Sequence, residues 1–277
     1  MKTQIIAEAA SNHGGDIEIA KQMIRAAKAC GADYIKFQSW QAKNLRPDDP
    51  AKESFAKKEL SDEDHRILIN ECKKAGIKFL TSCFDWKRVD FLAALGLKTI
   101  KVPSTELTSA RMLNMLREKF DHIILSTGAS SKEEIEQAVE LLKKGKFTLL
   151  HCVSEYPTPL ERVNLARMNW LKKFTADVGF SDHTIGTTAA KLAILEGATY
   201  IEKHFTLKID PANVFSKVCM DAKGLKEICN FAKKPDASKI QNYAELKKIA
   251  TGVELVEMSL EEEKVRKQYV GRWGDNT

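Results

Sequence analysis

Short segments rich in apolar and β-branched residues recur eight times along this chain, at residues 4–8, 34–38, 78–82, 99–102, 122–126, 148–152, 177–181 and 200–204. Between them run amphipathic stretches such as 17–30 (IEIAKQMIRAAKAC), 63–75 and 132–144, with apolar residues three and four apart and charges on the remaining face. This alternation predicts parallel strands joined by crossover helices. Gly31, Gly76, Gly96, Gly145 and Gly197 stand where a helix would stop before the next strand. Eight β/α units in about 250 residues have the length and rhythm of a TIM (β/α)8 barrel, an α/β fold whose closed sheet leaves no edge strand. An open doubly wound sheet would carry a GxGxxG turn after its first strand. The Gly14–Gly15 pair does not make one.

A chain of 277 residues is long enough to bury a full core in one domain. No apolar signal segment opens the sequence and no window approaches the roughly 18 apolar residues of a membrane span, so the expected location is the cytoplasm. Six cysteines (Cys30, Cys72, Cys83, Cys152, Cys219, Cys229) show no CxxC spacing, which argues for reduced, packed thiols and against a zinc cluster. The formal charge of +6 is spread over pairs such as Lys57–Lys58, Lys143–Lys144 and Lys233–Lys234 on different helices. Dispersed pairs read as solvated faces, so neither nucleic acid nor a membrane is an expected partner.

Polar residues concentrate at the strand ends. Residues 179–184 (GFSDHT) and 200–205 (YIEKHF) each run from an apolar segment into a histidine. On neighbouring parallel strands, His183 and His204 would project at the same face, flanked by Ser181, Asp182 and Glu202, as a candidate site for a divalent metal with positions open to substrate. A lone histidine would more simply hydrogen-bond a loop. Lys36 within YIKFQ and Lys101 within TIKVPS place ammonium groups in apolar strands, where each needs an anionic partner. A structural ion pair with Glu8 or Glu106 would satisfy that need. Two barrel lysines beside Ser104, Ser126, Thr127 and Ser181 would also make a phosphate and carboxylate cradle.

The segments IAEAASNHGGD, ADYIKFQ, FLTSCFD, IKVPSTELT, IILSTGAS, LHCVSEYPTP, GFSDHT and IEKHFTL follow the order and spacing of the N-acetylneuraminate (sialic acid) synthase family. The chain resembles that family, which includes the legionaminate and pseudaminate synthases, at nearly every strand end. The resemblance implies a transferase that condenses phosphoenolpyruvate with an N-acetylated hexose aldehyde, N-acetylmannosamine or a relative, to give a 2-keto-3-deoxy nonulosonic acid and phosphate. It implies that His183 and His204 bind Mn²⁺ (or Mg²⁺ or Co²⁺). It further implies that Lys36, Lys101, Ser104, Ser126, Ser154 and Ser181 surround phosphoenolpyruvate, while Glu8, Tyr156 and Glu202 face the sugar and the metal's water. Similar enzymes often have asparagine where Ser154 stands.

Two departures accompany the match. The GPD-containing loop usual after the last strand is replaced by residues 208–221 (KIDPANVFSKVCMD), which moves the acidic group to Asp210 or Asp221 or removes it. Similar enzymes also continue past the barrel into an antifreeze-like domain that reaches the sugar across a homodimer. Here the expected organisation is a synthase barrel over 1–240 and a C-terminal helix with a linker-like tail over 241–277, without that domain. Tyr269, Val270 and Trp273 in the tail are expected to dock on a second subunit, and the missing sugar contact is expected to weaken acceptor binding.

Other readings stay open at this level. A barrel lysine of lowered pKa would suit a Schiff-base aldolase acting on a 2-keto-3-deoxy sugar acid. A non-catalytic phosphate- or sugar-binding remnant is another. A barrel metal hydrolase fits less well, because no His-x-His pair follows the first strand near Asn12 and His13.

Overall fold

The structure is a computed structural model and describes residues 2–210, 212, 214–255 and 257–273. Eight parallel strands close into one barrel in sequence order: β1 (Gln4–Ala10), β2 (Tyr34–Ser39), β3 (Lys78–Cys83), β4 (Thr99–Val102), β5 (His122–Ser126), β6 (Lys146–Cys152), β7 (Val178–Asp182) and β8 (Tyr200–His204). The expected TIM barrel is the observed one. Around it lie α1 (Ile17–Cys30), α2 (Lys52–Lys58), α3 (Asp62–Ala75), α4 (Val89–Ala94), α5 (Ala110–Lys119), α6 (Lys132–Leu142), α7 (Arg167–Leu171), α8 (Thr188–Leu195) and α9 (Ala222–Lys233). Two more helices follow the last unit, α10 (Tyr243–Thr251) and α11 (Leu260–Tyr269), where the sequence suggested one.

Local signals explain the boundaries. Asp16 accepts hydrogen bonds from the amides of Glu18 and Ile19 at the start of α1, and Ser61 and Ser131 form capping boxes with Asp64 and Glu134. Gly31 and Gly76 end α1 and α3 in the left-handed conformation, as expected. Gly145 does not: α6 is capped by Lys143 with ordinary helical angles, and Gly145 serves only the turn that follows. The expected acidic groups after β8 are spent differently. Asp221 caps α9 through the amide of Gly224, and Asp210 is exposed in its loop.

Inside the barrel, side chains alternate with period two. Ile6, Tyr34, Leu80, Ile124, Leu150 and Tyr200 form an apolar plug separate from the larger core between sheet and helices. Gly179 makes the plug possible, since a Cβ there would lie 2.5 Å from the carbonyl oxygen of Tyr200 and 2.6 Å from Leu150 Cδ2. One step further along each strand the same face turns polar: Glu8, Lys36, Ser82, Ser126, Ser181 and Glu202 cap the plug. The fold thus sets a buried polar layer on an apolar floor at the C-terminal end of the strands.

The C-terminal tail is not free. Trp273 is 3% exposed and packs on Trp40, Phe55 and Phe84, edge-on to Phe55 at a centroid distance of 5.4 Å. Arg272 Nε reaches Asp49 Oδ2 at 2.7 Å with both side chains buried. Of the residues expected to dock, Trp273 is buried while Tyr269 and Val270 are half-buried, and the chain's own barrel supplies the cover, so hiding Trp273 needs no second copy. Replacing Trp273 by alanine is expected to weaken tail docking by about 3 to 5 kcal/mol, the usual cost of a buried Trp. Limited proteolysis should then cut residues 260–273 while the barrel resists, and unchanged protection of the tail would refute the assignment.

Candidate active site

The polar layer is a connected cluster at the barrel mouth. Lys36 Nζ donates to Ser82 Oγ at 2.7 Å, lies 3.0 Å from Glu8 Oε2 and 3.6 Å from Glu202 Oε1. Lys101 Nζ donates to Ser126 Oγ at 2.6 Å and to the Val102 carbonyl at 2.9 Å, and stands 4.0 Å from Glu202 Oε1. Ser181 Oγ donates to Glu202 Oε1 at 3.2 Å, and Gln38, which sequence reasoning passed over, donates to Glu8 Oε1 at 3.1 Å. The ion pair of Lys36 with Glu8 therefore exists, yet it is part of the cluster rather than an alternative to it. Glu106 accepts a hydrogen bond from Ser109 Oγ at 2.8 Å.

The electrostatics of this cluster are asymmetric. Burial resists the charge on Lys36, but Glu202 and Glu8 outweigh it and raise the ammonium above its ordinary value. For Glu202 burial is again opposed, here by Lys101 and Lys36, which hold the carboxyl below its usual range. Glu8 goes the other way: burial pushes it up to about 7 despite Lys36, with the charge on Glu202 adding to the rise. Burial also lowers Lys101 to about 8 against the pull of Glu202. Two ammonium groups thus face one firmly ionised carboxylate and one near neutrality, an excess of positive charge fit for a small polyanion.

Above this layer stand the histidines, with ring centroids 5.6 Å apart. Tyr156 lies over His183 at 4.2 Å and 6.4 Å from His204. His183 Nδ1 donates to the Val153 carbonyl at 2.8 Å, which fixes the tautomer and leaves Nε2 with its lone pair. Burial keeps His183 neutral below its ordinary value and drives His204 well below it, with His183 adding to the effect. Glu202 Oε2 is buried without a hydrogen-bond donor. Neutral imidazoles beside an unsatisfied carboxylate oxygen fit a divalent cation that keeps open positions. Among the described residues no group of three or more His, Cys, Asp or Glu side chains is placed to hold a metal ion, so the histidine pair is the candidate donor set.

Asp182 is a correction to the sequence reading. The period of two turns it to the outer face, where it pairs with Lys203 at 3.0 Å and accepts from the Thr184 amide. Its carboxylate is committed to Lys203 and the Thr184 amide rather than turned to the inner face with Ser181 and Glu202. Ser104 and Ser154 meet instead around Gly128: a Cβ there would lie 2.4 Å from Ser154 Oγ, 3.0 Å from Cys152 Sγ and 3.1 Å from Ser104 Oγ. Gly128 also donates its amide to Ser104 Oγ at 3.0 Å. This cup continues the lysine cluster on the β4–β6 side. Burial pushes the Cys152 thiol up to about 11, so it is no nucleophile at neutral pH.

The model of the NeuB family matches residues 23–244. The chain belongs to the NeuB family. It is 41% identical over 249 residues to the N,N′-diacetyllegionaminic acid synthase of Campylobacter jejuni, covering 82% of this chain and 75% of that protein. The N,N′-diacetyllegionaminic acid synthase of Legionella pneumophila is 38% identical over 73% of this chain, which spans 64% of that relative's length. Among solved structures, the N-acetylneuraminic acid (sialic acid) synthetase of Leptospira borgpetersenii in complex with citrate superposes with a TM-score of 0.81 at 29% identity, over 97% of this chain and 92% of that one. Family members of this kind are named for nonulosonic acids, and the strand-end segments singled out in the sequence lie along the barrel they share.

Proposed function

We infer that this chain condenses phosphoenolpyruvate with an N-acetylated amino-sugar aldehyde to give a nonulosonic 2-keto-3-deoxy acid and phosphate. The observation that carries the reading is the paired ammonium groups of Lys36 and Lys101 at the barrel mouth, directly beneath two neutral histidines. Lys36 and Lys101, with Ser104, Ser126, Ser154 and Ser181, hold the phosphate and carboxylate of phosphoenolpyruvate. His183 and His204 hold a divalent metal, Mn²⁺ for preference, which when bound supplies Lewis acidity at the aldehyde oxygen.

The other residues act on protons and orientation. Carbon 3 of phosphoenolpyruvate attacks the aldehyde carbon, and the new alkoxide takes up a proton. Water then adds to carbon 2, after which the carbon–oxygen bond to phosphate breaks. Glu8, poised near neutrality, can give and take protons at working pH, whereas Glu202, held ionised, stabilises positive charge developing at carbon 2. Tyr156 keeps its proton, because burial raises its pKa well above the ordinary value, and it walls the sugar side beside His183. No covalent nucleophile is required.

We assign catalysis to the barrel domain over 1–240 and, within the segment 241–277, bracing of that barrel to its described residues 260–273. The assembly proposed is a homodimer, which light scattering would test. The six cysteines are buried, which suits a reducing compartment and a cytoplasmic reaction. No helix among the described residues is long and apolar enough to cross a membrane.

Incubation of phosphoenolpyruvate with a panel of mono- and di-N-acetylated hexoses should release phosphate with at least one of them, and mass spectrometry should find a nonulosonic acid. No release with any acceptor would reject the reading. One observation favours a second reading, a Schiff-base aldolase: Lys101 is lowered to about 8. Borohydride in the presence of a 2-keto-3-deoxy sugar acid would trap Lys101 covalently in that case and leave it unmodified in the first.

A further inference from the structure

The loop between β5 and α6 contains a strained residue next to the anion cup. Ala129 has φ 48°, a left-handed conformation uncommon for a residue with a Cβ, and it follows Gly128 directly. Both of its backbone polar groups are taken by one helix. Glu262 Oε1 accepts the Ala129 amide at 3.1 Å, and Arg266 Nη1 donates to the Ala129 carbonyl at 3.0 Å. Glu262 and Arg266 are four apart on α11 and so share a face.

The same helix reaches the neighbouring loop. Glu262 Oε1 also accepts the amide of Ser154 at 2.9 Å, so one buried carboxylate oxygen ties the loop after β5 to the loop after β6. Arg266 further grips Glu134, the capping-box residue of α6, with both terminal guanidinium nitrogens. Ser126, Gly128 and Ser154 belong to these two loops and their strands.

We propose that α11 is a clasp on the anion site, with Glu262 a positioning residue that keeps Ala129 left-handed and Ser154 in place around Gly128. The inference rests on the reading that this cup holds the phosphate of phosphoenolpyruvate. It assigns a function to a segment that otherwise reads as a charged linker, because the acidic run at 261–263 contains one buried carboxylate with a structural task, while Glu261 is exposed and Glu263 half-buried.

The test is calorimetric binding of phosphoenolpyruvate to the full chain, combined with steady-state kinetics. E262A is expected to weaken binding and raise the KM for phosphoenolpyruvate by about 10- to 100-fold, as for a lost pair of hydrogen bonds to a charged group. The KM for the sugar should stay unchanged. E262Q keeps an acceptor oxygen and should stay within about threefold of wild type. Adding A129G to E262A should recover part of the loss, since glycine adopts the left-handed conformation without strain. R266M, which removes the carbonyl donor, should weaken binding in the same direction and serves if E262A does not fold. Wild-type chain that binds no phosphoenolpyruvate overturns the functional reading and this inference with it. Wild type that binds while E262A and R266M bind equally well, or a loss in E262A that A129G leaves untouched, overturns the inference alone.

Discussion

Replacement of His183 or His204 by alanine is expected to lower kcat/KM by more than about 100-fold, beyond the loss typical of residues that only support a metal ligand. The expectation follows from two imidazoles with centroids 5.6 Å apart, both held neutral, with His183 oriented by the Val153 carbonyl. Excess EDTA should abolish turnover, and Mn²⁺, Co²⁺ or Mg²⁺ should restore it. Full activity in EDTA would remove the metal from the mechanism. The thermal midpoint of both variants should stay close to wild type, because these side chains top the barrel and do not fill its core.

Loss of the lysines should separate binding from stability. Lys36→Met and Lys101→Met are each expected to reduce kcat/KM for phosphoenolpyruvate by about 100-fold or more, as fitting for a charge facing an anion in a buried site. Unchanged calorimetric binding in both would reject the cradle. Their effects on folding should differ. Lys36 is paired with Glu8 and Glu202, so its removal leaves buried carboxylates less compensated and destabilises the chain, with Glu8 shifting further toward neutrality. Lys101 is itself desolvated and lowered to about 8, so its removal relieves that cost while taking a compensating charge from Glu202, and the net destabilisation should be smaller than for Lys36.

The sign of the pH dependence follows from Lys101. Its folded pKa lies near 8 and its unfolded value near 10.5, so between these the unfolded chain holds more protons and wild-type stability rises with pH. Below pH 8 both states are protonated and the slope vanishes. The extra rise should be missing from Lys101→Met, as denaturant midpoints at pH 8 and pH 10 would show. Activity runs in the opposite direction, because the ammonium binds substrate: kcat/KM should fall as pH climbs through about 8. Lys101→Arg should not rescue it, since a planar guanidinium does not replace a compact ammonium held by Ser126 and the Val102 carbonyl.

What the amino-acid sequence determined by itself was the material of the site and its level in the barrel. Apolar runs and helical periodicity are local, and they placed β4, β5 and β8 at their observed ends. A strand's period of two is local as well, so Lys36, Lys101, Ser181 and Glu202 could be assigned to one face before any partner was known. Partnership is not local. Closing β8 onto β1 set His204 opposite Glu8, and the pairing of β7 with β8 sent Asp182 to Lys203 on the outer face, which no spacing announced. Nor did any pattern mark Glu262: its neighbours Ala129 and Ser154 lie more than a hundred positions away. A carboxylate in an acidic run looks like a solvated face until the tail folds back across the barrel. That return is decided by burial of Trp273 and Arg272 against residues 40–55, a gain of contact that exists only once the barrel is closed.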